Sequence, residues 1–300
     1  MKFRAHDTFF IRKGWLSKGL KNVKLNSSVF ISRDINPMDT LGIGANMVKA
    51  LRYWLTTVGL TEEKKKGKRE QTLTPLGKII YANDPYIEEL GTLWLLHYRL
   101  ATNFDEATAW YYFFNEFKLT EFTRDDFVTQ VNSFIRINGE EVSDRSVEDD
   151  YNCIINTYVS RIKSNPEKVQ PESNIDCPLG ELGLIDIVNK KTKLYKKSFP
   201  SKNTLHPLIL LAVILDQAEN EKSIKISEIQ NGPKNAGKIF NLDIIALTTL
   251  LYKIELLGYI KVVRTAGLDV ITIETKLDFL GCVKEYYRCI NDKSEWENIC

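Results

Sequence analysis

The stretch from Leu41 to Tyr81, LGIGANMVKALRYWLTTVGLTEEKKKGKREQTLTPLGKIIY, constrains the fold more than any other part of the chain. From Ala45 to Leu60 apolar residues recur at helical spacing. Met47, Leu51, Trp54, Leu55 and Val58 fall on one stripe, and Asn46, Lys49, Arg52 and Tyr53 lie largely on another face. Gly59 closes the helix. Leu60-Thr61 and Thr72-Leu73-Thr74 then read as the arms of a hairpin. Its tip, KKKGKRE, packs five basic residues into positions 64–69. Pro75 suits the first turn of a further helix, Leu76 to Asn83. Helix, glycine, charged hairpin and helix is the order a winged helix-turn-helix shows after its first two helices.

Those two earlier helices are also readable. Gly14–Val23 places Trp15, Leu16, Leu20 and Val23 inward, and Pro37–Gly42 reads as a short helix with Asn36 as its cap, Pro37 in its first turn and Gly42 as its stop. Gly44 gives the chain freedom to turn. Gly42-Ile43-Gly44 lacks the third glycine, the preceding strand and the G-K-[ST] ending of a phosphate loop, so the glycines are turn residues.

From Asp84 to about Pro166 the pattern is helical: Tyr86–Arg99, Asp105–Phe117, Arg124–Ile137 and Ser146–Arg161. Trp94, Trp110, Tyr111, Tyr112, Phe113, Phe114 and Phe117 concentrate here, and acidic flanks favour a bundle core over a base-stacking surface. Lys163–Asn174 is polar with two prolines and reads as a linker. Cys177–Val188 and Thr192–Phe199 read as a short β element. Helices at Leu205–Ala218, Ile224–Asn231 and Asn241–Leu257 and a hairpin, Tyr259–Val263 with Leu268–Ile273, repeat the winged-helix order. Val48–Leu60 and Leu247–Tyr259 rhyme: apolar helix, glycine, strand. The expected fold is mainly α with short β-hairpins, organised as winged-helix-like modules at 1–83 and 175–300 around a helical middle at 84–166.

Charge supports a division of labour. Residues 1–80 carry 16 Lys and Arg against 6 Asp and Glu, whereas residues 81–175 carry 8 against 17. A basic end beside an acidic centre fits one phosphate-facing module and one that avoids phosphate; the lysine tip alone would also serve to keep a hairpin edge soluble. The candidate DNA-binding residues are Asn46, Lys49, Arg52 and Tyr53 on the helix and Lys64, Lys65, Lys66, Lys68 and Arg69 on the hairpin. Asparagine pairs with adenine edges, arginine and lysine reach guanine or phosphate, and mobile lysines favour backbone contacts. The C-terminal module, with Lys253 alone on its third helix, is as well suited to partner docking as to nucleic acid.

Signatures of chemistry are missing. Five cysteines at wide spacing, without C-x-x-C, and three histidines suggest neither a disulfide framework nor a metal site. Asp125-Asp126 and Glu148-Asp149-Asp150 read as solvated helix faces or first-turn carboxylates, His6-Asp7 as a lone pair near the terminus, and His97 as a hydrogen-bonded core histidine. No cofactor or metal is expected. No run approaches the roughly 20 apolar residues of a membrane span, and the start has no signal-peptide pattern, which points to a cytoplasmic protein.

The blocks HDTFFIRKGWLSKG (6–19), LGIGANMVKALRYWLTTVGL (41–60), LTPLGKIIYANDPYIEELGTLWLLHYRLA (73–101), CPLGELGLI (177–185), GKIFNLD (237–243) and RTAGLDVITI (264–273) resemble the bacterial domain-of-unknown-function 4007 family. The resemblance implies a place beside sulfate-activating-reductase-like proteins in DNA phosphorothioation and phage-defence clusters, and carries no assigned catalytic residues. The expected function is a non-enzymatic DNA-binding accessory protein of such a system. Expected partners are double-stranded DNA and sulfur-transfer or modification-enzyme subunits; homo-oligomerisation stays open. The alternatives are a protein-interaction adaptor without DNA contact and an unrecognised nuclease.

Overall fold

Local signals set the first elements. Helix α1 (Trp15–Leu25) buries Trp15, Leu16, Leu20 and Val23. Helix α2 (Pro37–Leu41) starts at Asn36, whose side chain accepts from the Met38 N–H, and ends at Gly42, whose φ of 62° suits a residue without Cβ. Helix α3 (Ala45–Thr57) encloses Leu51, Trp54 and Leu55 completely. Val48 and Ala50 join them, and Met47 is only half-buried: the inner seam keeps Leu51, Trp54, Leu55 and Val58 of the expected stripe, with Val48 in place of Met47 at its start. Strands β1 (Thr61–Glu63) and β2 (Gln71–Leu73) pair antiparallel with Thr61 opposite Leu73, and helix α4 (Pro75–Asn83) follows from a Thr74 cap.

The computed structural model describes residues 1–32, 34, 36–64, 67, 69–159, 177–201, 203–219, 221–265 and 268–292. The proposed linker at 163–174 and hairpin residues Lys65, Lys66 and Lys68 lie outside them. The protein is mainly helical with small antiparallel sheets. Its chain divides into two compact units, Met1–Ser198 and Phe199–Cys300.

The first unit continues with α5 (Leu90–Ala101), α6 (Thr108–Asn115), β3 (Glu121–Phe122), α7 (Arg124–Ile137) and α8 (Asp144–Tyr158). Helix α5 starts four residues after the expected Tyr86. The buried Asp84 carboxylate accepts from the Glu88 and Glu89 N–H groups and the Thr92 hydroxyl, and Ile87 is left-handed at φ 58°, so the backbone there turns before it coils. Thr123 and Asp126 form a reciprocal capping box at α7. The aromatic residues are core: Trp94, Trp110, Phe113, Phe114 and Phe117 are buried. His97 is a buried histidine bonded to the Tyr158 hydroxyl at 2.7 Å. A 3-10 turn (Pro178–Leu182) precedes β4 (Ile185–Asn189) and β5 (Leu194–Lys197). These strands, grouped by sequence with the C-terminal module, form a sheet with β3 in the order β3-β5-β4 inside the first unit.

The second unit holds α9 (Pro207–Gln217), β6 (Ser223–Lys225), α10 (Ile226–Asn231), α11 (Ala236–Ile239), α12 (Ile244–Leu256), β7 (Ile260–Thr265), β8 (Leu268–Ile273) and α13 (Phe279–Asn291). Its sheet runs β6-β8-β7, with β6 joining the expected hairpin. Helices α3 and α12 each end in a glycine of positive φ, Gly59 at 73° and Gly258 at 76°, followed by a strand. That is the structural content of the rhyme between the two segments.

Candidate nucleic-acid interface

Lys49, Arg52, Tyr53 and Thr56 recur at i, i+3, i+4 and i+7 along α3, so they share a face. With Lys2, Ala5, Glu63, Arg69 and Glu106 they line an open cavity of about 510 Å³. Alternation on β1 aims Glu63 toward α3 and Glu62 outward. The Glu63 carboxylate is shared. Arg52 Nε donates to its Oε1 at 2.7 Å, Arg69 Nε and Nη2 lie 3.1 and 3.0 Å from Oε2, and Gln71 Nε2 donates to Oε1 at 3.3 Å. Arg52 Nη2 also donates to the Arg69 carbonyl at 3.1 Å, tying helix to hairpin. Partial burial works to raise the Glu63 carboxyl, but the two guanidiniums and the Gln71 amide outweigh it and hold it below its usual range.

Of the residues expected from sequence, Lys49, Arg52, Tyr53 and Arg69 therefore converge on one cavity. Asn46 is exposed one turn before Lys49 and outside the lining. Lys64 turns to Glu70, with Nζ 3.1 Å from Oε2, and Glu70 is in turn held by the Ser28 hydroxyl. Arg52 and Arg69 are not the open cations the sequence suggests: both are bound to Glu63. Tyr53 donates its hydroxyl to the Glu106 carbonyl at 2.7 Å. Among the described residues Lys49 makes no ion pair.

Sequence reasoning missed the N-terminal arm. The Lys2 backbone N–H donates to Thr108 Oγ1, and its ammonium lies 2.6 Å from Glu106. The Arg4 N–H donates to Asp150 Oδ1, and Arg4 Nε sits 2.9 Å from Asp149. His6, fully buried and stacked on Trp54 at 5.6 Å, donates from Nε2 to Asp150 Oδ1 at 2.6 Å. Asp150 is thus a buried partner of His6, not part of a solvated face, and His6 is no lone terminal residue. Burial pushes the Asp150 carboxyl up, against the pull of His6 and the Arg4 N–H. The arm's basic residues were the available signal; their partners lie more than 100 positions away.

The described cysteines expose no thiol. Cys153, Cys177, Cys282 and Cys289 are buried, and burial raises the Cys282 thiol to about 12.

The profile of a family described as a protein of unknown function (DUF4007) matches residues 3–287. The chain belongs to that family. Two solved structures share the architecture. A magnesium ion-bound SspB crystal structure superposes with a TM-score of 0.80 at 25% identity, covering 99% of this chain and 88% of that one. An SspB crystal structure gives 0.79 at 26% identity with the same coverage. Among curated proteins, none matches. No group of three or more His, Cys, Asp or Glu side chains is placed to hold a metal ion among the described residues, so the donors described do not fit a magnesium site formed by such a cluster. No described helix is long and apolar enough to cross a membrane.

Proposed function

We propose that the protein is a non-enzymatic DNA-binding accessory protein of a bacterial DNA-modification system of phosphorothioation type or of a phage-defence system. In this reading α1–α3 and the β1–β2 hairpin act as a winged-helix-like module on duplex DNA. The observation that carries it is the convergence of Lys2, Lys49, Arg52 and Arg69 on one open cavity between the third helix and the hairpin. Lys49, without an ion pair among the described residues, would contact phosphate, and Asn46, one turn earlier in the first turn of α3, would reach a base edge. The link to modification or defence rests on family resemblance alone.

Duplex affinity measured across salt tests the reading. Each phosphate contact adds roughly −0.9 to the log–log slope. Replacing Lys64, Lys65, Lys66, Lys68 and Arg69 with serine, together with Lys49→Ser, flattens that slope. Absence of duplex binding at low salt sinks the proposal.

The adaptor reading is favoured by α12. Ile245, Tyr252 and Leu256 follow one exposed helical stripe, and Leu256 is 87% exposed. A recognition helix would present polar groups there. Pull-down of modification-enzyme subunits, lost on Ile245→Asp with Leu256→Asp and indifferent to the hairpin variant, supports it; light scattering tells it from homo-oligomerisation. The nuclease alternative draws on the magnesium ion of the similar structure, and an assay for magnesium-dependent strand cleavage decides it.

A further inference from the structure

The loop between α4 and α5 is built with more care than a connector requires. Asp84, almost wholly buried, ties down two backbone N–H groups and a hydroxyl. Ile87, a β-branched residue, is held at φ 58° with its side chain buried. Such backbone persists only where its surroundings over-determine it, and it is found preferentially at binding sites. Between these two fixed points Tyr86 is held outward with 72% of its surface exposed.

Tyr86 borders a groove of about 800 Å³ that shares no lining residue with the α3–hairpin cavity. Lys18 and Lys21 line it from α1, and Lys24, one turn further, places its ammonium 4.2 Å from the centroid of the Tyr81 ring, another lining residue. The three lysines recur at i, i+3 and i+6 on α1; Lys18 and Lys21 line the groove, and Lys24 continues the row past its lining, over the Tyr81 ring. Lys18 Nζ donates to the Leu41 carbonyl at 2.9 Å, which fixes it in place and leaves two of its three N–H donors over. Asp39 on α2 also lines the groove and would repel an anionic chain there.

We propose that this groove binds a single nucleic-acid strand, with an unstacked base on the Tyr86 ring and the flanking phosphates along Lys18, Lys21 and Lys24. A rigidly presented aromatic face beside a cationic track is the arrangement that holds single strands without sequence preference. The site is independent of the duplex reading, because it lies on other residues.

Fluorescence anisotropy of the full-length protein with labelled oligothymidylate tests it, with a labelled duplex run in parallel. Tyr86→Ala is expected to weaken oligothymidylate binding roughly tenfold, while Tyr86→Phe retains it and the duplex arm stays unchanged. Lys18→Ser with Lys21→Ser is expected to reduce the single-strand salt slope by about 1.4, at ~0.7 per contact. Melting curves of the Tyr86 variants should match the parent, because the side chain is exposed. The proposal is overturned if the parent fails to bind oligothymidylate at low salt, or if Tyr86→Ala binds it as the parent does. It is equally overturned if Lys49→Ser, not Tyr86→Ala, abolishes the binding, which would place the strand in the α3 cavity. Duplex binding can fail without touching any of these outcomes.

Discussion

Glu63 sets how much positive charge the α3–hairpin cavity presents. Its two oxygens occupy Arg52 and Arg69 much as a backbone phosphate would. A phosphate entering the cavity must compete with it. Glu63→Gln keeps the shape and removes the charge. Duplex affinity is then expected to rise several-fold with a steeper salt slope, while stability falls by about 1 kcal/mol, as for a partly exposed ion pair. Unchanged affinity in a titration of this variant would show that the two arginines serve only the fold. Arginine and lysine at positions 49, 52 and 69 were legible as a candidate interface from spacing and composition. The neutralising partner was not. Glu63 sits 11 positions from Arg52 across a helix–strand corner, and only the pleat of β1 decides that it, and not Glu62, faces the helix. The His6–Asp150 bond spans 144 positions, and no local pattern encodes it.

At the scale of elements, the period of the apolar residues and the caps located the helices of the first unit, with the ends of α7 matched and those of α5, α6 and α8 two to four residues out. Asn36, Pro37, Gly42, Gly59 and Pro75 act in the structure as their types imply. Gly44 does not: at φ −65° it is ordinary extended backbone, and the turn belongs to Gly42. Glycines that matter for packing, Gly77 and Gly237 among them, were invisible in sequence. A Cβ on Gly77 would stand 2.0 Å from the Leu60 carbonyl oxygen, where α4 crosses the base of the hairpin. Gly77→Ala is therefore expected to cost about 1–3 kcal/mol through forced displacement of α4. Gly44→Ala, with nothing within 4 Å, should stay within about 1 kcal/mol of the parent. Paired thermal melts check both. Strand partners were the other illegible feature. Of the segments 177–188 and 192–199 expected as β, Ile185–Asn189 and Leu194–Lys197 are strands while Pro178–Leu182 is a 3-10 turn, and the pairing of Leu194–Lys197 with Glu121–Phe122 depends on a tertiary contact across the chain that no periodicity carries.

For the whole molecule, the basic segment 1–80 and the acidic segment 81–175 fall within one unit, where Lys2–Glu106 and Arg4–Asp149 pair one with the other, so the charge asymmetry is internal to that unit and not a contrast between the two. The two units also carry different responses to acid. In the second, His206 caps α9: its Nδ1 accepts from the Leu208 N–H at 3.1 Å, which requires an unprotonated nitrogen. Burial, helped by Lys253, lowers His206 to about 4. Its unfolded counterpart takes a proton near 6.5, so the unfolded state binds more protons between those values. Stability from this group is fully present above about pH 6.5 and declines toward pH 4, by about 3 kcal/mol at most. Glu63, in the first unit, has a depressed folded value. Its contribution persists at pH above the ordinary carboxylate value of about 4.3 and is lost only as pH falls below it. Hydrogen exchange followed from pH 7 to pH 4.5 should therefore show protection falling first in α9 and α13, after correction for intrinsic rates, while α3 and the β1–β2 hairpin hold. His206→Asn, which can cap without titrating, should remove the decline in the second unit, and a decline that survives this substitution would assign the acid response to another group.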